Sequence, residues 1–452
     1  MDTCVGSIAD YTHTLRFDDL SGDAVRHCKR TLIDTFGCAL GGFNAEPSRI
    51  ARHMAQRTSL VSGARVIGTT HRTLPELAAF ANGVMARYLD GNDAFLGGGG
   101  HPSDLIAAVI AAADISGADG RTVITAVTLA YEIYYNLWKV AGVRDKGIDH
   151  VFYTVVAGAA GAAKVLGLDQ RRVAEALSLA ITPNIALDAT RYGILGMWKG
   201  CAGGNAARNC VFAALLAAAG MTGPEKPLQG RHGLENLVGK EIKLLPFGGD
   251  GRPFRIGETT MKCFHSEGHA LTPITVALPL SRQVEAGDIE AVTIYTYWFA
   301  WEVIGSEREK WRPTTREAAD HSLPYIIAAV LVERAFNEET FSEQRLRDPR
   351  IRRLIDKIEV KEDVEFTRRF PRCMPCRIEI KTRSGALKVG QSNYPLGHYN
   401  NPMSDDEVNA KFRDHSQYTL PQEQIGRALD ALWQIDTAVD LSAIFEALQT
   451  GG

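Results

Sequence analysis

Val155-Val-Ala-Gly-Ala-Ala-Gly-Ala-Ala163 lies inside an apolar run, residues 151–166, whose spacing predicts a helix. Its side chains are too small to hold neighbours at a distance, so other helix axes must come close to it. Segments 105–115, 122–140, 172–181 and 205–219 repeat the pattern, each apolar at i, i+3 and i+4 and bounded by Gly, Pro or Asp. Upstream, residues 21–41 open the folded part, with Ser21 as N-cap and Gly41-Gly42 as the stop, and 75–88 form a second helix. No strand pattern interrupts this series before about residue 240. The expectation is a compact all-helical body.

The texture then changes. Residues 289–297 alternate, with Ile289, Ala291 and Thr293 on one face and Glu290, Val292 and Ile294 on the other. Residues 357–361 also alternate, and 377–381 with 387–390 read as a hairpin around Ser384-Gly385. A helix is expected over 320–335, and helices over 405–412 and 422–433 return to the first body. The fold class expected is mainly α with an α+β second domain. A large discontinuous helical domain takes residues 1–268 and 401–452, and a smaller α+β lid domain takes 269–400.

Bulk numbers exclude several functions. The chain has 452 residues, 45% hydrophobic and 23% charged, with 50 basic and 53 acidic side chains. A net charge of −3 without a Lys/Arg run offers no footprint for nucleic acid. No apolar window is long enough to span a membrane, and the N-terminus lacks a basic, apolar leader. The eight scattered cysteines fit reduced thiols in the cytoplasm. Cys373-Met-Pro-Cys376 lacks a second pair and precedes a strand, so it reads as incidental.

Residues 90–104, Asp-Gly-Asn-Asp-Ala-Phe-Leu-Gly-Gly-Gly-Gly-His-Pro-Ser-Asp, set acids and a histidine around four glycines between two apolar helices. Such a loop suits chemistry, or else it is a solvated connection with acidic caps. Other polar clusters stand at element ends: Asp149-His150, Arg191, Lys199, Lys262 to His269, Arg312 to Arg316, Asp320 to Tyr325, and His398. Singly, each is an ordinary cap or surface group; as a set they point to a site. Cys263, His265 and His269 have metal-ligand chemistry, but His265-Ser-Glu-Gly-His269 misplaces the glutamate of a zinc-protease helix and carries a glycine. The glycine runs lack the lysine of a phosphate loop and the strand of a dinucleotide site. Neither metal nor cofactor is expected. Histidines with a lysine suit proton transfer near neutral pH, and arginines suit carboxylates, so the residues suggest acid–base chemistry on a small carboxylated molecule.

Tyr88-Leu-Asp90-Gly-Asn-Asp93 with His101-Pro-Ser-Asp104 resembles the signature of the MmgE/PrpD family, which includes 2-methylcitrate dehydratase and cis-aconitate decarboxylase. The resemblance continues through Gly147-Ile-Asp-His150, Met197-Trp-Lys199-Gly-Cys-Ala, Thr222-Gly-Pro224, Trp311 to Tyr325, and Asn401-Pro402-Met, in family order. It implies a helical domain with a smaller α+β domain, a homodimer, and no metal or organic cofactor. Carried over motif by motif, the catalytic set is Asp90, His101, His150, Lys199 and Tyr325. His269 is the nearest match to a further family histidine.

The reading is a hydro-lyase that eliminates water from a citrate-like polycarboxylate. His101 and His150 are the acid–base pair, Asp90 orients an imidazole, Lys199 stabilises developing carboxylate charge, and Tyr325 donates a hydrogen bond or proton. Asp93, Arg191, His269, Arg316 and His321 are expected to bind substrate, and Ser103-Asp104 to cap the following helix. A decarboxylase, an epimerase or a non-catalytic carboxylate binder are the alternatives. Gly97 to Gly100 replace the bulkier residues usual in the dehydratases, which marks them as a place where substrate choice differs.

Overall fold

The computed structural model describes residues 2–192, 196–307 and 311–450. Two compact units divide the chain. One comprises residues 1–261 and 404–452, and the other residues 262–403. The expected boundaries, 268/269 and 400/401, shift because residues 262–268 and 401–403 pack with the second unit.

In the first unit, helices α1 (Thr3–Thr14), α2 (Gly22–Gly41), α3 (Glu46–Gln56), α4 (Pro75–Tyr88), α5 (Ile106–Ser116), α6 (Gly120–Ala141), α7 (Val151–Val165), α8 (Gln170–Ile181) and α9 (Trp198–Ala218) form the body. The folded part opens on α1 and not at Ser21. Asp2 caps α1 through the amides of Cys4 and Val5 and also accepts from Leu228 and Gln229. A short ladder between β1 (Ala64–Arg65) and β2 (Arg72–Thr73) interrupts the helices, which their alternation alone was too brief to announce.

The small residues of α7 do what their size implies. A Cβ added at Gly158 would lie 2.5 Å from Cys210 Sγ of α9, and one at Gly161 would lie 2.7 Å from Val109 of α5. All of α7 except Lys164 is buried. Helix α9 starts at Trp198, well before the expected 205. Gly200, Gly203 and Gly204 weaken the helical signal there but are needed where α9 meets its neighbours.

The C-terminal segment returns to this unit through the helices Asp405–Ser416 and Gln422–Trp433. Lys411 is buried. It pairs with Asp34 of α2 at 2.5 Å and donates to the Gly91 carbonyl at 2.6 Å. Removing one member of a buried pair strands the other charge at a cost of about 3–5 kcal/mol. Lys411→Met is therefore expected to lower the unfolding free energy by about that amount, read from a urea titration. A change within ~0.5 kcal/mol would show that Asp34 is protonated or re-solvated in the variant.

In the second unit, β3 (Ile289–Thr296), β4 (Ile358–Glu362), β5 (Cys376–Thr382) and β6 (Leu387–Ser392) form one sheet in the order β4-β3-β5-β6. β3 runs parallel to β4 and antiparallel to β5, and β5–β6 is the expected hairpin. The helices Leu271–Ser281 and Leu323–Glu333 share a core with the sheet. The expected face of β3 is corrected: a bulge between Ile289 and Ala291 slips the register, so Ile289, Val292, Ile294 and Thr296 point inward. No helix among the described residues is long and apolar enough to cross a membrane.

Candidate active site

Helices α4 and α9 run antiparallel and nearly touch. A Cβ at Gly83 would lie 2.7 Å from the Gly204 Cα, and Gly200 packs towards Tyr88. That approach sets the C-terminal end of α4 beside the N-terminal end of α9. Asp90 lies just beyond the first, and Lys199 lies in the first turn of the second. Lys199 Nζ is 3.6 Å from Asp90 Oδ2, both side chains being about one-third exposed. An exposed pair of this kind contributes at most about 1 kcal/mol to stability, so its interest is positional.

Asp90 holds a left-handed backbone, φ 52°, which costs a non-glycine residue about 1–2 kcal/mol. Arg87, buried in the last turn of α4, donates to Asp90 Oδ1 at 2.8 Å and stands 3.7 Å from Asp104. Burial disfavours the Arg87 charge, but Asp90 and Asp104 outweigh it and hold the guanidinium protonated. Asp104 is not a helix cap. It is buried, accepts from Asn92 at 3.1 Å, and lies against Gly203. Burial pushes its carboxyl above the usual range despite Arg87.

His101 follows the glycine run. Its Nδ1 is 2.9 Å from the Asp93 carbonyl and its Nε2 is 3.4 Å from Asp90 Oδ1. Asp93 itself does not face a ligand, contrary to expectation. Its carboxylate is fully buried and accepts from the Tyr131 hydroxyl and the Ser103 amide. Burial pushes it up to about 7, against the pull of both donors.

His150, at the start of α7, has its ring centroid 5.9 Å from that of His101. Its Nδ1 is 2.8 Å from Asp149 Oδ1. Arg191, expected to anchor substrate, is instead a brace: Nε donates to Asp149 at 3.0 Å and Nη1 to the Lys199 carbonyl at 3.0 Å. The glycine run is also explained by packing. Phe95 and Gly100 bridge, the Gly99 carbonyl accepts from Tyr134, and a Cβ at Gly100 would lie 2.2 Å from the His150 ring. Asp90, His101, His150 and Lys199 thus share one place, a carboxylate, two imidazoles and an ammonium. Such a set can move a proton and hold an anion.

Four expected site residues belong to the second unit. Tyr325 is buried in its core, 1% exposed, and its hydroxyl donates to the Thr340 carbonyl at 2.6 Å. That commitment corrects its expected role as a proton donor. His269 Nδ1 meets the Tyr297 hydroxyl, and its ring packs on Phe299 and Phe370. Asp320 lies 4.0 Å from His321 and accepts from the Ser266 hydroxyl and the Glu267 amide. Arg316 is exposed, 5.6 Å from the Phe341 ring. Sequence reasoning missed Arg87, Asp104 and Tyr297. Only Arg87, one helical turn before Asp90, left a readable sign.

The chain matches the MmgE/PrpD N-terminal domain over residues 6–244 and the MmgE/PrpD C-terminal domain over residues 264–435. It is 29% identical to a mitochondrial 2-methylcitrate dehydratase of Yarrowia lipolytica, over 97% of this chain and 90% of that one. It is 30% identical to the 2-methylcitrate dehydratase of Cupriavidus necator over 88% and 86% of the two chains. Against the 2-methylcitrate dehydratase of Salmonella typhimurium the figures are 27%, 95% and 93%. Both family domains in their order, over most of the chain, make this protein a member of the MmgE/PrpD family.

Proposed function

We propose that the protein is a hydro-lyase that dehydrates a citrate-like tricarboxylate such as 2-methylcitrate. The observation that carries this reading is that Asp90 lies within 3.6 Å of both His101 and Lys199, with the His150 ring beside that of His101. Elimination next to a carboxylate needs a base for the carbon-bound proton, an acid for the departing hydroxyl, and a cation for the charge that grows on the carboxylate. The two imidazoles supply acid and base. Lys199 supplies the cationic end, at the start of α9 where the helix dipole also favours an anion. Asp90 holds Lys199 and His101 in register. The three relatives named above are 2-methylcitrate dehydratases, which supports the same substrate class.

The test is to offer 2-methylcitrate, citrate and cis-aconitate separately, following absorbance at 240 nm together with CO2. The expected result is an absorbance rise with 2-methylcitrate and no CO2 from any of the three. Release of CO2 from cis-aconitate would make the protein a decarboxylase, and silence with all three would remove the tricarboxylate reading.

A further inference from the structure

We propose that Asp149, braced by Arg191, is the positioning residue that makes His150 the base of the elimination and leaves His101 its acid. The inference rests on the hydro-lyase reading above. Its starting point is an asymmetry between two histidines that share one site. His150 Nδ1 lies 2.8 Å from an Asp149 carboxylate oxygen, while Nε2 has no carboxylate contact of that kind; both nitrogens are buried and neither is aligned in a hydrogen bond. His101 has acceptors at both nitrogens, the Asp93 carbonyl at Nδ1 and the Asp90 carboxylate at Nε2.

A carbonyl oxygen can only accept, so His101 Nδ1 carries a proton; the carboxylate beyond Nε2 favours a second one. Arg87 at 2.8 Å and Lys199 at 3.6 Å share the Asp90 carboxylate with His101, so a proton on Nε2 is weakly held and ready to transfer. At His150 the anion sits on one side only, so it keeps the single proton of a neutral ring on Nδ1 and leaves the lone pair on Nε2. Burial alone would raise the Asp149 carboxyl, but the close His150 ring and the Arg191 guanidinium hold it well below the usual range. Burial lowers the His150 pKa, against the pull of Asp149, so the ring is neutral near pH 7. The groups facing it are Asp149, Arg191, Asp104, His101 and, behind Gly100, the Tyr134 hydroxyl. A lone pair at one ring and a transferable proton at the other are the pattern of an acid–base pair.

His150 Nε2 takes the proton from the carbon next to a carboxylate, and that C–H electron pair becomes the new C=C bond. The C–O bond breaks, and the proton on His101 Nε2 leaves with the hydroxyl as water. His150 then releases its proton to solvent and His101 regains one.

Two measurements test this. The first needs no substrate: ring nitrogen NMR of the 15N-histidine-labelled full chain at pH 7, with His150→Gln for assignment. The expected signal of His150 is a neutral ring protonated at Nδ1. A charged ring, or a neutral one protonated at Nε2, overturns the proposal. The second uses Asp149→Asn with 2-methylcitrate. The expected kcat falls by about 10²–10⁴-fold, with KM changed less than about threefold. The acidic limb of the kcat/KM profile moves to lower pH, because the carboxylate that favoured protonated His150 is gone. A limb that stays in place, or a loss confined to KM, overturns the proposal. Absence of wild-type turnover on every tricarboxylate removes the hydro-lyase reading and the elimination roles with it; the nitrogen spectrum then decides the Asp149–His150 arrangement separately.

Discussion

Lys199→Ala is expected to lower kcat for 2-methylcitrate by about 10²–10³-fold or more while leaving the protein folded. The size follows from what the ammonium does. In the proposed elimination, charge on the substrate carboxylate grows only as the carbon-bound proton leaves, so Lys199 would stabilise the transition state more than the ground state. The fold should tolerate the change. The Asp90–Lys199 pair is about one-third exposed on each side, and the lysine's structural bond to Arg191 is made by its backbone carbonyl, which alanine keeps. The checks are steady-state kinetics and a thermal melt on the same preparation. A variant that retains near-full kcat, or one that loses activity only because its melting point collapses, would remove Lys199 from the chemistry.

Gly100→Ala is expected to damage both stability and turnover. Gly100 has φ +76°, and a Cβ there would stand 2.2 Å from the His150 ring and 2.8 Å from the Tyr134 hydroxyl. The left-handed backbone costs alanine about 1–2 kcal/mol, and forcing a buried ring aside adds about 1–3 kcal/mol. The unfolding free energy should fall by about 2–5 kcal/mol in urea. Displacing His150 by as little as ~1 Å should lower kcat by about 10²-fold, with KM less affected. Full activity in a destabilised variant would show that the glycine run serves packing alone. This run was expected to be where substrate choice differs; its last member is, at the least, the wall against which His150 is set.

Much of the architecture is legible from spacing. The helices Pro75–Tyr88 and Gln422–Trp433 coincide with the apolar periodicity, because each carries a single internal glycine, Gly83 or Gly426, and not a cluster that masks the pattern. The start of α9 is not legible, since glycines that lower local helix propensity are kept for the approach to α4. The buried face of β3 is not legible either, because one bulge inverts every side chain beyond it. At the site, Asp90, His101, His150 and Lys199 could be picked out by chemistry and family motif. Tyr325 carried the same kind of motif, yet its hydroxyl is committed to a carbonyl in the core of the second unit.

Residue order and type alone determined the helical body, the later α+β unit, the family and the inventory of ionisable groups near element ends. They did so because periodicity and capping act over a few neighbours. Only the tertiary structure decided which of those groups meet. Arg191 and Asp93 look like substrate contacts in the chain, but one is committed to Asp149 and the other to Tyr131 and Ser103. Asp149 and His150 are adjacent in sequence, and adjacency says nothing about whether their side chains touch. What makes them a pair is the packing of α7 beneath the glycine loop and the reach of Arg191 across from Lys199, contacts set by the shapes of segments far apart in the chain.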